Sequence, residues 1–186
     1  MNLQKLGSDA LAIIRANIKL FLLNVISFWR INYHPLIRFK SHINITVDTN
    51  SRISIGNGTL IAANSSLSAT DGGQLTLGNM IGINRNSMII CHNCISIGDN
   101  TIMGPNVCIY DHDHLFTSKR GVIRNDYKTS AVHIGKNCWI GAGTTILRGS
   151  IINDNCIIGA GCVIKGTYPS GSIIIQKRNE IIYNRL

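Results

Sequence analysis

The sequence predicts an all-β solenoid, a parallel β-helix of triangular section, and three observations carry that expectation. Isoleucine recurs every six residues at Ile134, Ile140, Ile146, Ile152, Ile158 and Ile164, a ladder that neither the helical period of 3.6 nor plain strand alternation produces. The fourth place of each complete hexad holds Asn137, Gly143, Gly149, Asn155 or Gly161, the residue types that most readily accept positive φ. The fifth place holds Cys138, Thr144, Ser150, Cys156 or Cys162, all small. Each hexad then forms one short side and three hexads one coil, with isoleucines in the core and the Gly/Asn column turning the corners.

Residues 1–45 differ in character. Leu3, Leu6, Ala10, Ile13, Ile14 and Phe21 fall at helical spacing, and the first forty residues hold six bases against Asp9. This predicts an N-terminal amphipathic helical segment ending before Pro35. Two roles suit it: a cap over the open end of the solenoid, or a helix lying on an anionic membrane face. Arg15, Asn17, Lys19 and Asn24 interrupt the apolar run 10–29, so a transmembrane span is not expected.

The β-helix is expected over 46–172. Its earlier register is looser: Ile55, Ile61 and Leu67, then Leu77, Ile83 and Ile89, then Ile97, Met103 and Ile109, with four and two extra residues between the sets. After this third coil the register is lost and a loop of about 112–133 is ejected, of the extended kind that often carries function. Residues 173–186 form a C-terminal extension.

The net charge of +9 points to an anionic partner. Nucleic acid is not expected, because the bases are scattered and no recognition helix or interleaved aromatic motif accompanies them. With no signal-peptide pattern at the start, the six cysteines are expected as reduced thiols in a cytoplasmic setting.

The stretch IYDHDH, 109–114, opens the loop. If it is extended, His112 and His114 share one face, and Asp111 and Asp113 share the other. A histidine near its ordinary pKa suits the removal of a proton from a hydroxyl at neutral pH.

The hexads IGKNCWIGAGTTIL and IIGAGCVIKG, with IYDHDH ahead of an ejected loop, resemble the left-handed β-helix (hexapeptide-repeat) acyltransferases. Within them the likeness is to the maltose/galactoside/nodulation-type and capsule/O-antigen sugar O-acetyltransferase branch, and it covers about 55–169. The resemblance implies left-handed winding, a homotrimer, and acetyl-CoA as acyl donor substrate in a groove between neighbouring β-helices. It implies direct transfer to a sugar hydroxyl of a polysaccharide or glycan precursor, with no permanently bound cofactor and no metal.

Residue by residue, the resemblance puts His114 on the position of the general base, with His112 as fallback. A backbone N–H at Gly141 or Ala142 would face the thioester oxygen as it gains charge. Trp139 would wall the acyl channel or plug the trimer interface, Ala160 and Gly161 would bond the pantetheine amides, and Lys165, Lys177 and Arg178 would meet the phosphates. Asn84, beside Arg85, is expected at the acceptor, with Asp111 and Asp113 as its further polar groups. Two departures stand out: galactoside-type relatives have serine where this chain has Ala142, and IIIQKRNEII replaces the usual Gly-Asn-Pro-Ala turn near the adenine.

Three other readings compete. CHNC, 91–94, has the spacing of a zinc or redox pair, and His92, His112 and His114 supply enough imidazoles for a β-helix metal-dependent carbonic anhydrase-like enzyme. The last is a non-catalytic β-helix scaffold bound at a membrane surface.

Overall fold

A computed structural model describes residues 3–176. An α-helix, Leu3–Ile26 (α1), precedes a three-sided parallel solenoid, with seven strands on the first side, seven on the second and six on the third among the described residues. Each strand pairs in parallel with its counterpart one coil on, as in Ile97↔Ile134 on the first side, Met103↔Ile140 on the second and Ile109↔Ile146 on the third. The left-handed β-helix expected from the resemblance has this architecture.

The hexad grammar maps onto the coils as expected. Ile134, Ile140, Ile146, Ile152, Ile158 and Ile164 are buried in one continuous core. Asn137, Gly143, Gly149, Asn155 and Gly161 all have positive φ. The small fifth place has a second physical reason. Thr101, Thr144 and Ser150 are buried and donate their hydroxyls to Gly135 O (2.8 Å), Gly159 O (3.1 Å) and Ile164 O (3.1 Å) of the following coil. A larger side chain there would displace the bond that ties successive corners together.

The solenoid begins earlier than the sequence suggests. The helix ends at Ile26, and a complete coil follows with strands Ile31–Tyr33, Arg38–Phe39 and Asn44–Val47, inside the stretch expected to be helical. Its ladder residues Tyr33, Phe39 and Ile45 keep the six-residue spacing, as their pairing with Ile55, Ile61 and Leu67 shows. The register is disguised because two of the three are aromatic and the fifth places hold Ile37 and Ile43, which are buried rather than small. With this coil in front, the ejected segment leaves after the fourth coil. Strands Thr167–Tyr168 and Ile173–Ile174 continue the first and second sides, so the solenoid runs through the start of the expected extension.

One face of α1 caps the first coil. Ala12, Ala16, Leu20 and Asn24 are buried there. The polar residues that interrupt its apolar run fasten it: Asn24 donates to Ile31 O (2.7 Å) and accepts from Ile31 N–H (2.9 Å), Asn17 donates to Pro35 O (2.8 Å), and Lys19 Nζ to Ile43 O (2.6 Å). Among the described residues no helix is long and apolar enough to cross a membrane.

The ejected segment is ordered. Strands His112–Thr117 and Gly121–Thr129 form an antiparallel hairpin, its register shifted between His114 and Phe116.

Candidate active site

The hairpin root stands at the third corner, where each coil passes from its third side to the first side of the next. The Ile ladder is stretched here, from Leu67 to Leu77 and from Ile89 to Ile97, and the extra residues supply side chains. Asp71 and His92 come from these insertions, and Asp111 and His112 from the hairpin root.

Asp111 is fully buried. Its two carboxylate oxygens accept the N–H groups of His92 (2.9 Å) and Asn93 (2.8 Å), and His112 Nδ1 lies 3.3 Å from Oδ1. The acceptor role expected for Asp111 is thereby corrected, since a side chain with no exposed surface cannot meet a substrate. Its position locks the turn of the coil below and orients the His112 ring.

His92 lies under His112, ring centroids 3.9 Å apart, and its Nδ1 is 2.6 Å from Asp71 Oδ2, a close contact whose angle falls short of a hydrogen bond. Tyr127, facing back from the second hairpin strand opposite His114, packs on His92 (4.4 Å), His112 (5.2 Å) and His114 (4.9 Å). His112 and His114 therefore share a face, as the alternation predicts, with centroids 6.5 Å apart. His114 is solvent-exposed, whereas the His112 side chain is 12% exposed. Burial, then the neighbouring His92, hold His112 below its ordinary pKa, against the opposing pull of Asp111. The neutral form of its ring is thereby favoured.

Asp113 points the other way and pairs with Arg148 of the next third corner. The pair pins the hairpin against the later coils, and Asp113, half-exposed, is engaged by its own chain rather than free for an acceptor.

Gly141, Ala142, Ala160 and Gly161 lie at the second corner, between the second and third sides. The Gly141 N–H donates to Ile158 O (2.7 Å) and so belongs to the coil ladder. That leaves Ala142: among the described residues its N–H has no partner, while its carbonyl accepts from Gly161 N–H (2.7 Å). Glycine at 141 is required because an added Cβ would stand 2.5 Å from Ala160 N. Trp139 projects from the second side, 54% exposed, in register between Ile102 and Ile157, which are also exposed. Together they make an apolar outer strip beside that corner.

Asn84 and Arg85 are exposed at the second corner two coils earlier, where Asn84 lines a shallow cleft with Leu60, Gly82 and Ile102. Lys165 is exposed at the third corner. Lys177 and Arg178 lie outside the described residues.

Within one chain the expected groups do not meet. The histidines stand at the third corner and the open amide at the second, separated by a strand of the third side, roughly 13 Å at 3.3 Å per residue. The sequence had also not singled out Asp71, Tyr127 or Arg148. Ladder insertions were a visible signal for the first, but hairpin register alone brings Tyr127 to the histidines.

The competing readings fare less well on these side chains. Burial and the Asp111 carboxylate push the Cys91 thiol up, and Cys94 is shifted in the same direction for the same reasons, the opposite of a metal-binding or redox-active pair. Among the described residues no three His, Cys, Asp or Glu side chains are gathered as a metal would require.

Comparison with known proteins places the repeat among transferases. Residues 131–166 match the bacterial transferase hexapeptide (six repeats) family. The chain is 27% identical over 180 residues to a Mycobacterium tuberculosis protein named "Probable acetyltransferase Rv3034c", covering 85% of this chain and 58% of that one. It is 31% identical over 105 residues to the galactoside O-acetyltransferase of Lactococcus lactis, covering 55% of this chain and 49% of the relative. The chain thus spans about half the length of these two proteins. Among solved structures it is similar to a point mutant of AntD, an N-acyltransferase from Bacillus cereus, in complex with dTDP-4-amino-4,6-dideoxyglucose and Coenzyme A, with a TM-score of 0.60, 19% identity, and coverage of 81% of this chain and 78% of that one. That likeness concerns the fold. By its hexads, its three-sided coils and these relatives, the chain carries the hexapeptide repeat over 131–166 and is similar to acetyltransferases.

Proposed function

We propose that this chain is an acetyl-CoA-dependent O-acetyltransferase acting on a sugar hydroxyl of a polysaccharide or glycan precursor, and that it works as a homotrimer. One observation carries the reading: exposed His114 stands packed on Tyr127 and next to His112 at the third corner, while a backbone N–H with no partner among the described residues stands at the second corner beside an apolar strip. In the proposed homotrimer the third corner of one subunit faces the second corner of its neighbour, and the two sets meet across that interface. The galactoside O-acetyltransferase among the relatives and the sugar nucleotide and Coenzyme A held by AntD support the substrate classes.

His114 accepts the proton of the sugar hydroxyl as the oxygen attacks the thioester carbonyl carbon. The carbonyl oxygen gains charge and is met by the Ala142 N–H, a donor fixed by the backbone and needing no reorganisation. Collapse breaks the C–S bond and the imidazolium returns its proton to the departing sulfur. No acyl-enzyme forms. His112, Asp111, His92 and Tyr127 hold the His114 strand in place.

A second reading makes His112 the base, on the observation that Asp111 backs it directly. Paired variants decide between them. His114→Ala should lower kcat for acetyl transfer about a hundredfold or more, whereas His112→Ala should leave a measurable rate and a shifted pH profile. Wild-type turnover in His114→Ala rejects the assignment of base.

A further inference from the structure

The sequence left residues 1–40 with two alternative roles, and the structure gives α1 two faces. The face opposite the cap carries Leu11, Ile14, Ile18, Phe21, Leu22 and Val25, each more than half exposed. Their spacing of three and four makes one continuous apolar stripe, larger than an isolated surface residue would explain. Arg15, exposed and without a partner among the described residues, and Lys19 run along one edge of it.

A second feature extends the stripe. Past the helix end, Phe28 and Trp29 have φ of 52° and 60° and are 78% and 66% exposed. Bulky residues seldom occupy the left-handed region, and two in succession require the surroundings to enforce it. Here Arg30 does so: its guanidinium donates to Ser27 O and to Thr49 O (2.7 Å) and lies 5.6 Å over the Phe28 ring, while Trp29 packs edge-on to Phe21 at 6.2 Å. The strained turn holds two aromatic rings out into solvent at the end of an apolar stripe.

We propose that the outer face of α1 and the Phe28–Trp29 turn form a docking surface for an anionic phospholipid bilayer, with α1 lying in the plane of the interface and the two rings inserted at headgroup depth. Charge selects this occupant over a second copy of the chain. The only acid in α1 is Asp9, and it is turned to Arg38 and Lys40 of the first coil. A second copy laid on the stripe brings more cations and no acid, whereas anionic headgroups neutralise Arg15, worth about fivefold in affinity, and add to the cationic edge that Lys19 shares although its ammonium is turned to Ile43 O. Tryptophan and phenylalanine at the headgroup level are the side chains such an interface favours. This surface does not depend on the acyl-transfer reading.

The test uses the full chain and vesicles of phosphatidylcholine with or without phosphatidylglycerol. Cosedimentation is expected with the mixed vesicles, weakened by salt, and about tenfold or more weaker for Phe28→Ser/Trp29→Ser and for Ile18→Glu. Each variant should keep the wild-type mass in sedimentation analysis and the wild-type far-UV circular dichroism. In Trp139→Phe, where Trp29 is the only remaining tryptophan, emission should shift to the blue on adding mixed vesicles and be quenched by brominated lipid. Equal binding of the double variant and the wild type, absence of binding to either vesicle, or a drop in assembly mass on Ile18→Glu would each overturn the proposal, the last in favour of a second copy on the stripe.

Discussion

The second and third corners of the same solenoid follow opposite rules. At the second corner Asn64, Asn86, Asn106, Gly143 and Gly161 turn the chain at positive φ, coil after coil. Chain approaches chain there so closely that Gly104 and Gly141 have no room for a Cβ, the nearest backbone atoms standing at 2.6 and 2.5 Å. Such a close approach holds the main-chain groups of the corner with little freedom. The third corner is repeatedly lengthened, and its extra residues bring Asp71, His92, Asp111, His112 and the hairpin into contact. Regularity supplies a fixed N–H donor, and irregularity supplies titratable side chains.

The sharpest way to break the third corner is Asp111→Ala. It leaves the N–H groups of His92 and Asn93 and the His112 ring without their charged acceptor, and about 2–3 kcal/mol of stability should be lost. Denaturant melts would measure the loss, and the acetyl-transfer rate should fall with it as His112 loses its anchor. Asp111→Asn should recover part of the stability, because one amide oxygen remains.

The matching strike at the second corner is Gly141→Ala. The new methyl group would meet the backbone of Ala160, so coils must separate, at a cost of about 1–3 kcal/mol. If the open amide of Ala142 serves the reaction, kcat should fall by more than the stability change explains while His114 is untouched. A variant with the wild-type rate would show that the second corner is scaffold only.

A smaller effect tests the neutral form of His112. His112 has a folded pKa below its ordinary 6.5, so the unfolded chain binds more protons in that window. Stability is complete above about 6.5 and declines as the pH falls through it toward the folded value. His112→Gln should flatten that part of a melting-temperature profile. An unchanged slope would place the titration elsewhere.

Arg148→Ala should have the least effect on stability, less than about 1 kcal/mol, because Asp113 is half-exposed and the pair is screened. Its signature would be local: faster amide exchange across 112–129 with the coils unaffected. Protection equal to wild type would mean that Tyr127 and the histidines hold the hairpin unaided.

How far the sequence could be read follows the same division. Coils from Ile134 onward were legible because a six-residue repeat leaves no freedom in what fills the core, the corner or the fifth place. The first coil was hidden because it meets α1 instead of another coil, and closing that end takes Phe39 and Ile43 where the next coil has Ile61 and Ser65. His112 and His114 were legible as a pair sharing a face. Asp111 was misjudged, since alternation along a strand says which way a side chain points but not that a turn of the coil below lies there to be capped.

The sequence by itself determined the solenoid, its corner residues, an amphipathic N-terminal helix and the place where the coils are interrupted, because each is a local rule of period or backbone freedom repeated along the chain. Only the tertiary structure decided that the interruption is a hairpin, that Tyr127 returns to the histidines, that Gly141 N–H is engaged while Ala142 N–H has no partner among the described residues, and that α1 has one face for the cap and one for solvent. Those outcomes depend on contacts between residues far apart in the chain. No local period encodes such contacts, and they are fixed only when the coils stack.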